Sequence, residues 1–306
     1  MAFGCACAAQ GAHALASSVR RAILVDDNEK VSLESMGHLL SSADLELARR
    51  LEAAQAADGA ATVEGLVRAR PGCQAVSEPI AGGRAVFAGR NSPLTHALGI
   101  GMDGAVSEAE FDRLEEFFRT RDTNVVIDLC PMAHASVVHF IETRGYRIVE
   151  FNNVMARRIT SGEVFPLETG GLYVGRAGDI NAALWIEVVA KGFLECQNPP
   201  SDFLDMFAGT PLVADCFLAC EEMLPVGGAG MFVHDGVAAL FGDATVPYAR
   251  RRGIQMALIH ARLEAAARAG CNVAMASVLP GSGSHRNYER AGFQLVYMRV
   301  NVSRHF

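Results

Sequence analysis

The chain is short of positive charge, of long apolar runs and of cysteine pairs at metal-site spacing. Lys and Arg total 27 against 34 Asp and Glu, a net charge of −7. A general nucleic-acid binder gains affinity by neutralising phosphates, so this balance argues against one. A membrane span needs about 20 consecutive apolar residues. The longest uncharged run, Met1 to Val19, is mostly Ala, Gly, Ser and Cys, too polar and small-sided for a span. A secretory signal carries its positive charge ahead of its apolar stretch, whereas Arg20 and Arg21 follow this one. Residues 1–25 are expected to be a flexible tail of a cytoplasmic protein. The eight cysteines form no C-x-x-C pair. Cys5-x-Cys7 and Cys216-x3-Cys220 lack His or Cys neighbours at zinc spacing, so reduced thiols and no metal are expected.

What remains is an ordinary globular composition, 50% hydrophobic and 20% charged. At about 150 residues per domain, 306 residues suggest two. Periodicity predicts a helix over 30–57, with Leu39, Leu40, Leu45, Leu47, Ala48 and Leu51 on one face. Strands are predicted at 73–77, 84–88 and 96–101, then an amphipathic helix at 107–119 built on Phe111, Leu114, Phe117 and Phe118. A strand at 124–130, a helix at 134–144 closed by Gly145, and a strand at 146–155 follow. The polar stretch 157–170 is a linker by composition. Beyond it come a strand from Leu172, helices at 180–193 and 202–208, and strands at 213–220, 230–234 and 237–246. A long helix over 251–268, a strand at 272–278, a short helix at 284–291 and a strand at 293–302 complete the chain.

The two halves end alike. TNVVIDLCPMAHASVVHFIETRGYRIVEF, from Thr123, parallels CNVAMASVLPGSGSHRNYERAGFQLVYMR, from Cys271. Asn124 answers to Asn272, Pro131 to Pro280 and Gly145 to Gly292. A spacing of about 148 residues is too long for a solenoid and implies two copies of one domain, 26–160 and 165–306.

The sharpest chemistry lies in Val246-Pro247-Tyr248-Ala249-Arg250-Arg251-Arg252-Gly253-Ile254-Gln255-Met256-Ala257. A strand runs through a turn into a helix whose first turn holds three arginines and no acid before Glu264. That inverts the usual preference at a helix N-terminus. A bound anion restores it, because free N–H groups and arginines together make a phosphate site. Gly253 removes the Cβ that would block a phosphate's approach.

This segment resembles the GNAT superfamily of acyl-CoA N-acetyltransferases, whose signature Q/R-x-x-G-x-G/A opens the helix after the fourth strand. Here it reads Arg250 to Gln255, with Gln255 in place of Gly or Ala. A later family signature, Y-x-x-x-G-F, is matched by Tyr288, Gly292 and Phe293. The resemblance covers about 165–306. It implies an α/β (α+β) fold of two such domains, each a mixed, mostly antiparallel sheet flanked by helices. It also implies acetyl-CoA as acyl donor, with pyrophosphate on the amides of Arg251, Arg252, Gly253, Ile254, Gln255, Met256 and Ala257. Side-chain charge would come from Arg250, Arg251 and Arg252. The backbone near Thr245 or Val246 would hold pantetheine and polarise the thioester.

Tyr288 is the general acid implied for the leaving thiolate. Asp243, an acid in the apolar run VAALFGDATV, is open to three readings: general base, anchor for the acceptor amine, or edge residue facing solvent. Strand alternation puts it on one face with Phe241 and Thr245. Glu221, Glu222 and His234 are further candidates for the base. His260 and His285 have no partner at catalytic spacing. The first copy has GIGMDGAVSEAEF where the arginine turn would be, with Glu108 and Glu110 repelling phosphate, and Ile141 in place of the tyrosine. It is expected to be a structural partner walling the acceptor pocket. The expected acceptor is a small-molecule amine, with protein N-termini and lysines left open by the sequence. The rival readings are a non-catalytic acyl-CoA-binding or regulatory protein and an aminoacyl-transfer enzyme.

Overall fold

In the computed structural model, which describes residues 44–90, 92–160, 162–165, 171–178 and 181–306, Asp44 opens the first described helix. Its carboxylate accepts from the N–H of Leu47 at 2.7 Å. Such a cap supplies one of the partners that a helix start lacks. Helix α1 (Leu45–Ala69) runs on past the expected end at 57, through Asp58 and Gly59, which both disfavour helix. Tertiary packing overrides propensity here, because a Cβ at Gly59 would meet Leu98 at 2.7 Å. The expected tail 1–25, Cys5, Cys7, Leu39 and Leu40 lie outside the described residues.

The first copy continues with β1 (Val76–Ile80), β2 (Gly83–Phe87) and β3 (His96–Leu98). Helix α2 (Glu108–Arg119), β4 (Val125–Leu129), α3 (Ala135–Thr143) and β5 (Arg147–Arg158) follow. The second copy adds β6 (Leu172–Arg176), α4 (Ala182–Leu194) and α5 (Ser201–Met206). Then come β7 (Asp215–Glu221), β8 (Leu224–His234) and β9 (Val237–Thr245). It closes with α6 (Ile254–Arg268), β10 (Val273–Val278), α7 (Gly283–Arg290) and β11 (Gln294–Arg304).

Two further boundaries depart from the sequence reading for a physical reason. Strand β8 begins at Leu224, not at 230, because its glycines are close-approach sites. A Cβ at Gly227 would lie 2.7 Å from Ile254 of α6, and one at Gly228 would lie 2.8 Å from Val189 of α4. Strand β5 takes in Arg157 and Arg158, which composition assigned to the linker. Arg157 is buried, donates to the carbonyl of Ala291 at 2.6 Å and pairs with Glu163, and Phe165 is buried in the core.

Among the described residues, seven α-helices flank a single mixed sheet of eleven strands, in the order β1-β2-β3-β4-β11-β5-β10-β9-β8-β7-β6. The internal repeat shows in the pairing. Strands β1, β2 and β3 are antiparallel neighbours, with β4 parallel to β3. Strands β7, β8 and β9 repeat this, with β10 parallel to β9. The last strand of each copy lies in the other's half. Strand β5 pairs with β10, β11 pairs with β4, and the two pair with each other. The sheet is therefore continuous across the two copies. Helix α1 packs over β9 as well as over β2, with Ala48, Leu51 and Ala54 against Val237 and Ala239. A helix of the first copy thus covers the central strand of the second.

Three phenols donate into acids that are buried or nearly so. Tyr146 donates to Glu115 at 3.1 Å, Tyr297 to Glu52 at 2.7 Å and Tyr288 to Asp243 at 2.6 Å. Burial first, and the neighbouring carboxylate next or close behind it, push all three above the usual phenol value. A folded value above the unfolded one, near 10, means that stability is complete below pH 10 and falls as the pH rises beyond it. Thermal melts between pH 9 and 11.5 should show a falling midpoint. Phenolate absorbance from these three residues should rise together with unfolding, not before it.

Candidate active site

Strands β9 and β10 are paired only from Val237–Leu240 to Val273–Ala276. Beyond that point β9 continues to Thr245 and β10 to Val278 without partnering each other, and the sheet splits. A register shift against β8, between Gly228 and Gly230, helps to part them. Gly242 takes up the irregularity with φ of 66°, the kind of bulge that bends a strand and re-aims its side chains. Asp243 consequently does not share a face with Phe241. Phe241 lies against Gly230, whereas Asp243 reaches Arg262 of α6. Strand β9 is interior to the sheet and the Asp243 side chain is 12% exposed, so the edge-residue reading is excluded.

A cavity of about 310 Å³ occupies the split. Its wall includes Asp58 of α1, Phe193 of α4, Phe241 and Asp243 of β9, Ser277 of β10 and Ser284 of α7. Behind Asp243 lies a buried polar cluster that the sequence reading missed in part. Arg262 is wholly buried and grips both oxygens of Asp243, the longer contact being 3.4 Å. It also donates to the carbonyls of Gly230, Phe241 and Leu258 at 3.1, 3.3 and 3.1 Å. Tyr288, wholly buried and packed edge-on to Phe293, gives its proton to Asp243. The phenol is pushed well above its usual value, by burial chiefly and by Asp243, with Arg262 opposing. Asp243 is the one member of the three that lines the cavity, and Tyr288 sits one hydrogen bond behind the wall. The signal for Arg262 was its place one turn after Leu258, on an otherwise apolar stripe of α6.

At one end of the split lies the arginine turn. Gly253, with φ of 80°, precedes α6 and supplies no side-chain cap, and the first turn holds no acid. Arg251 also has positive φ, 63°. Among the described residues, no carbonyl or side chain of the protein accepts from the N–H groups of residues 251–256. Ala257 is the first amide in use, bonded to the carbonyl of Gly253 at 3.0 Å. The start of α2 in the first copy is the opposite case. Ser107 and Glu110 form a reciprocal capping box there, and the Glu110 carboxyl is held low by two hydrogen bonds from Ser107. The second copy leaves its helix start open to an anion, and the first closes it with its own carboxylate.

The side chains of the turn are less free than its amides. Arg250 is tied to Glu195 at 2.6 Å and to the carbonyls of Gly192 and Thr245 at 3.0 and 3.2 Å. It pins the end of α4 to the end of β9. Arg252 pairs with Glu221 at 2.8 Å. Gln255, the departure from the family pattern, donates to Ser284 at 2.8 Å and accepts from Asn287 at 2.6 Å. It joins the helix of the turn to the helix that carries Tyr288. Of the two amides named for the thioester, that of Val246 is taken by the carbonyl of Val226 at 3.0 Å. Antiparallel alternation then turns the Thr245 N–H toward the split.

The other candidate bases stand elsewhere. Glu221 and Glu222 are at the β7–β8 turn, and His234 ends β8, 3.8 Å from Asp235; none lines the cavity. His260 lies beside the Phe165 ring in a tilted arrangement, and His285 accepts from the N–H of Gly281 at 3.1 Å. No group of His, Cys, Asp or Glu among the described residues is placed to hold a metal. No described helix is long and apolar enough to cross a membrane.

No protein-family model matches the chain, and comparison with curated proteins finds no significant match. Solved structures do match. A GCN5-related N-acetyltransferase from Kribbella flavida superposes with a TM-score of 0.56 at 19% identity, over 82% of this chain and 95% of that one. One from Sphaerobacter thermophilus gives 0.52 at 21% identity, over 87% and 95%. A tandem GNAT protein from the clavulanic acid biosynthesis pathway gives 0.55 at 13% identity, over 87% and 97%. Such identities speak for architecture, and on that ground the chain has the fold of the GCN5-related N-acetyltransferases.

Proposed function

We propose that the protein is an acetyl-CoA-dependent N-acetyltransferase of the cytoplasm whose chemistry is carried by the second copy, 165–306. One observation carries the reading: the split between β9 and β10 leads to a helix start whose amides, 251–256, have no acceptor among the described residues. Those N–H groups suit the pyrophosphate of acetyl-CoA, and the Thr245 N–H suits the thioester carbonyl. A donor aimed at a developing oxyanion contributes about 3–4 kcal/mol to lowering a barrier. Tyr288 keeps its proton at neutral pH and is assigned the role of acid toward the leaving thiolate. Asp243, both of whose oxygens already accept from Arg262 and Tyr288, positions that phenol. The acceptor is a small-molecule amine.

Arg250 is structural, so the test uses its neighbours. Arg251→Glu/Arg252→Glu places two acids at the open helix start. It should weaken acetyl-CoA binding at least ten-fold by calorimetric titration while leaving the melting temperature nearly unchanged. Equal affinity in variant and wild type overturns the assignment of the turn. Binding at two sites would mean that the first copy also holds the donor.

The position of Tyr288 favours one alternative, a protein that binds acyl-CoA without transferring the acyl group. Its hydroxyl lies behind Asp243, not on the cavity wall.

A further inference from the structure

Asp58 and Gly59 stand side by side within α1. Gly59 has a packing reason, the close approach of Leu98 and Val86. Asp58 has none, since among the described residues no hydrogen bond or ion pair holds it. The acids around it are all engaged. Glu52 accepts from Arg299 at 2.8 Å and Tyr297 at 2.7 Å. Asp128 lies 3.3 Å from His96 and accepts from Asn301 at 2.8 Å. Asp243 is held by Arg262 and Tyr288. Asp58 alone of these accepts no hydrogen bond among the described residues, His96 being its one attractive charged neighbour, and it lines the same cavity as Asp243 and Ser277. A half-buried carboxylate on the wall of a largely apolar cavity is a place for a cation.

We infer that Asp58, supplied by a helix of the first copy, binds the primary amine of the acceptor and takes its first proton. This inference rests on the acetyltransferase reading and names a residue from outside the second copy. The protonated amine, R–NH3+, gives one proton to Asp58. Its freed lone pair forms the C–N bond at the thioester carbonyl, and the C–S bond breaks as the tetrahedral intermediate collapses. The thiolate leaves with a proton that Tyr288 supplies through Asp243, the member of the pair on the cavity wall, and the second nitrogen proton returns by the same route to restore the phenol. Asp58 returns its proton to water, so one proton is released per turnover.

Burial raises the Asp58 carboxyl to about 7, His96 opposing. The charged and titratable groups on the surrounding elements are His96, Asp128, Arg299, Glu52 and Asp243. A base that titrates near neutrality suits proton transfer at working pH. In sign, a carboxyl raised in the folded state costs stability as the pH climbs from about 4 toward 7.

The test compares wild type with Asp58→Asn in the full chain. Calorimetric acetyl-CoA binding should agree within two-fold, because the residue faces the acceptor. The variant should melt higher than wild type at pH 8, and the difference should vanish toward pH 4. Acetylation is then followed by mass spectrometry on a panel of n-butylamine, benzylamine and a peptide with a free N-terminus, which also separates small-molecule from protein acceptors. With any amine that the wild type acetylates, the variant should lose at least 100-fold in kcat/KM, together with the rise in rate near pH 7. Activity within three-fold of wild type, or a melting difference that does not depend on pH, overturns the role of Asp58. So does a wild type that binds acetyl-CoA and acetylates no amine of the panel. A wild type that binds no acetyl-CoA fails the acetyltransferase reading itself.

Discussion

Arg262→Met should lower the free energy of unfolding by about 3–5 kcal/mol, the usual cost of removing one partner from a buried ion pair. The guanidinium is wholly buried and holds both oxygens of Asp243. It also donates to the carbonyls of Gly230 and Phe241, at the irregular part of the β8–β9 ladder. A methionine fills much of the volume but satisfies none of these acceptors. It leaves the Asp243 carboxylate with the Tyr288 hydroxyl alone. Denaturant unfolding at neutral pH measures the loss directly. The double variant Asp243→Asn/Arg262→Met should be less unstable than the two single changes summed, with a coupling of about 1–3 kcal/mol. A loss below about 1 kcal/mol for Arg262→Met alone would mean that the cluster is wetter and looser than its geometry implies.

This cluster also marks how far the sequence could be read. The strand–turn–helix around Gly253 and the Tyr288-Gly292-Phe293 ending were legible because their signals are local: charge at a helix start, a positive-φ glycine, an apolar period. The acids Glu108 and Glu110 of the first copy were local signals too, and the capping box that Ser107 makes with Glu110 came from the structure. Arg262 was hidden by its own stripe, since a burial pattern of Leu258, Ala261 and Ala265 absorbs one long side chain without changing period. The face assigned to Asp243 failed because alternation assumes an unbroken ladder, and Gly242 breaks it. The side chains of Arg250 and Arg252 are claimed by Glu195 and Glu221, partners far away in the chain that no local pattern announces. The exchange of β5 and β11 between the copies was likewise invisible, because their alternation says which face is buried and not which strand lies alongside. Asp58 belongs with these. Only the tertiary packing of α1 over β9 brings it to the cavity.

Tyr288→Phe is expected to cut kcat by about 100-fold or more, the scale of a lost general acid, with acetyl-CoA affinity unchanged within about two-fold. The phenol is built to keep its proton, being buried, donating to Asp243 and pushed well above its usual value. A phenol so protonated gives up its proton only in concert with C–S cleavage, as negative charge builds on the departing sulfur, and Asp243 stands between the two. The variant retains the ring and its edge-on contact with Phe293, so packing is preserved. Asp243 also keeps its pairing with Arg262. A large fall in kcat without a fall in affinity therefore reports on proton transfer and not on folding. The competing outcome has an equally definite meaning. If Tyr288→Phe turns over at the wild-type rate, the hydroxyl is a strut for Asp243, and the thiolate takes its proton from water in the split. If neither protein turns over while both bind acetyl-CoA, the second copy is an acyl-CoA-binding module and the buried cluster serves the fold alone.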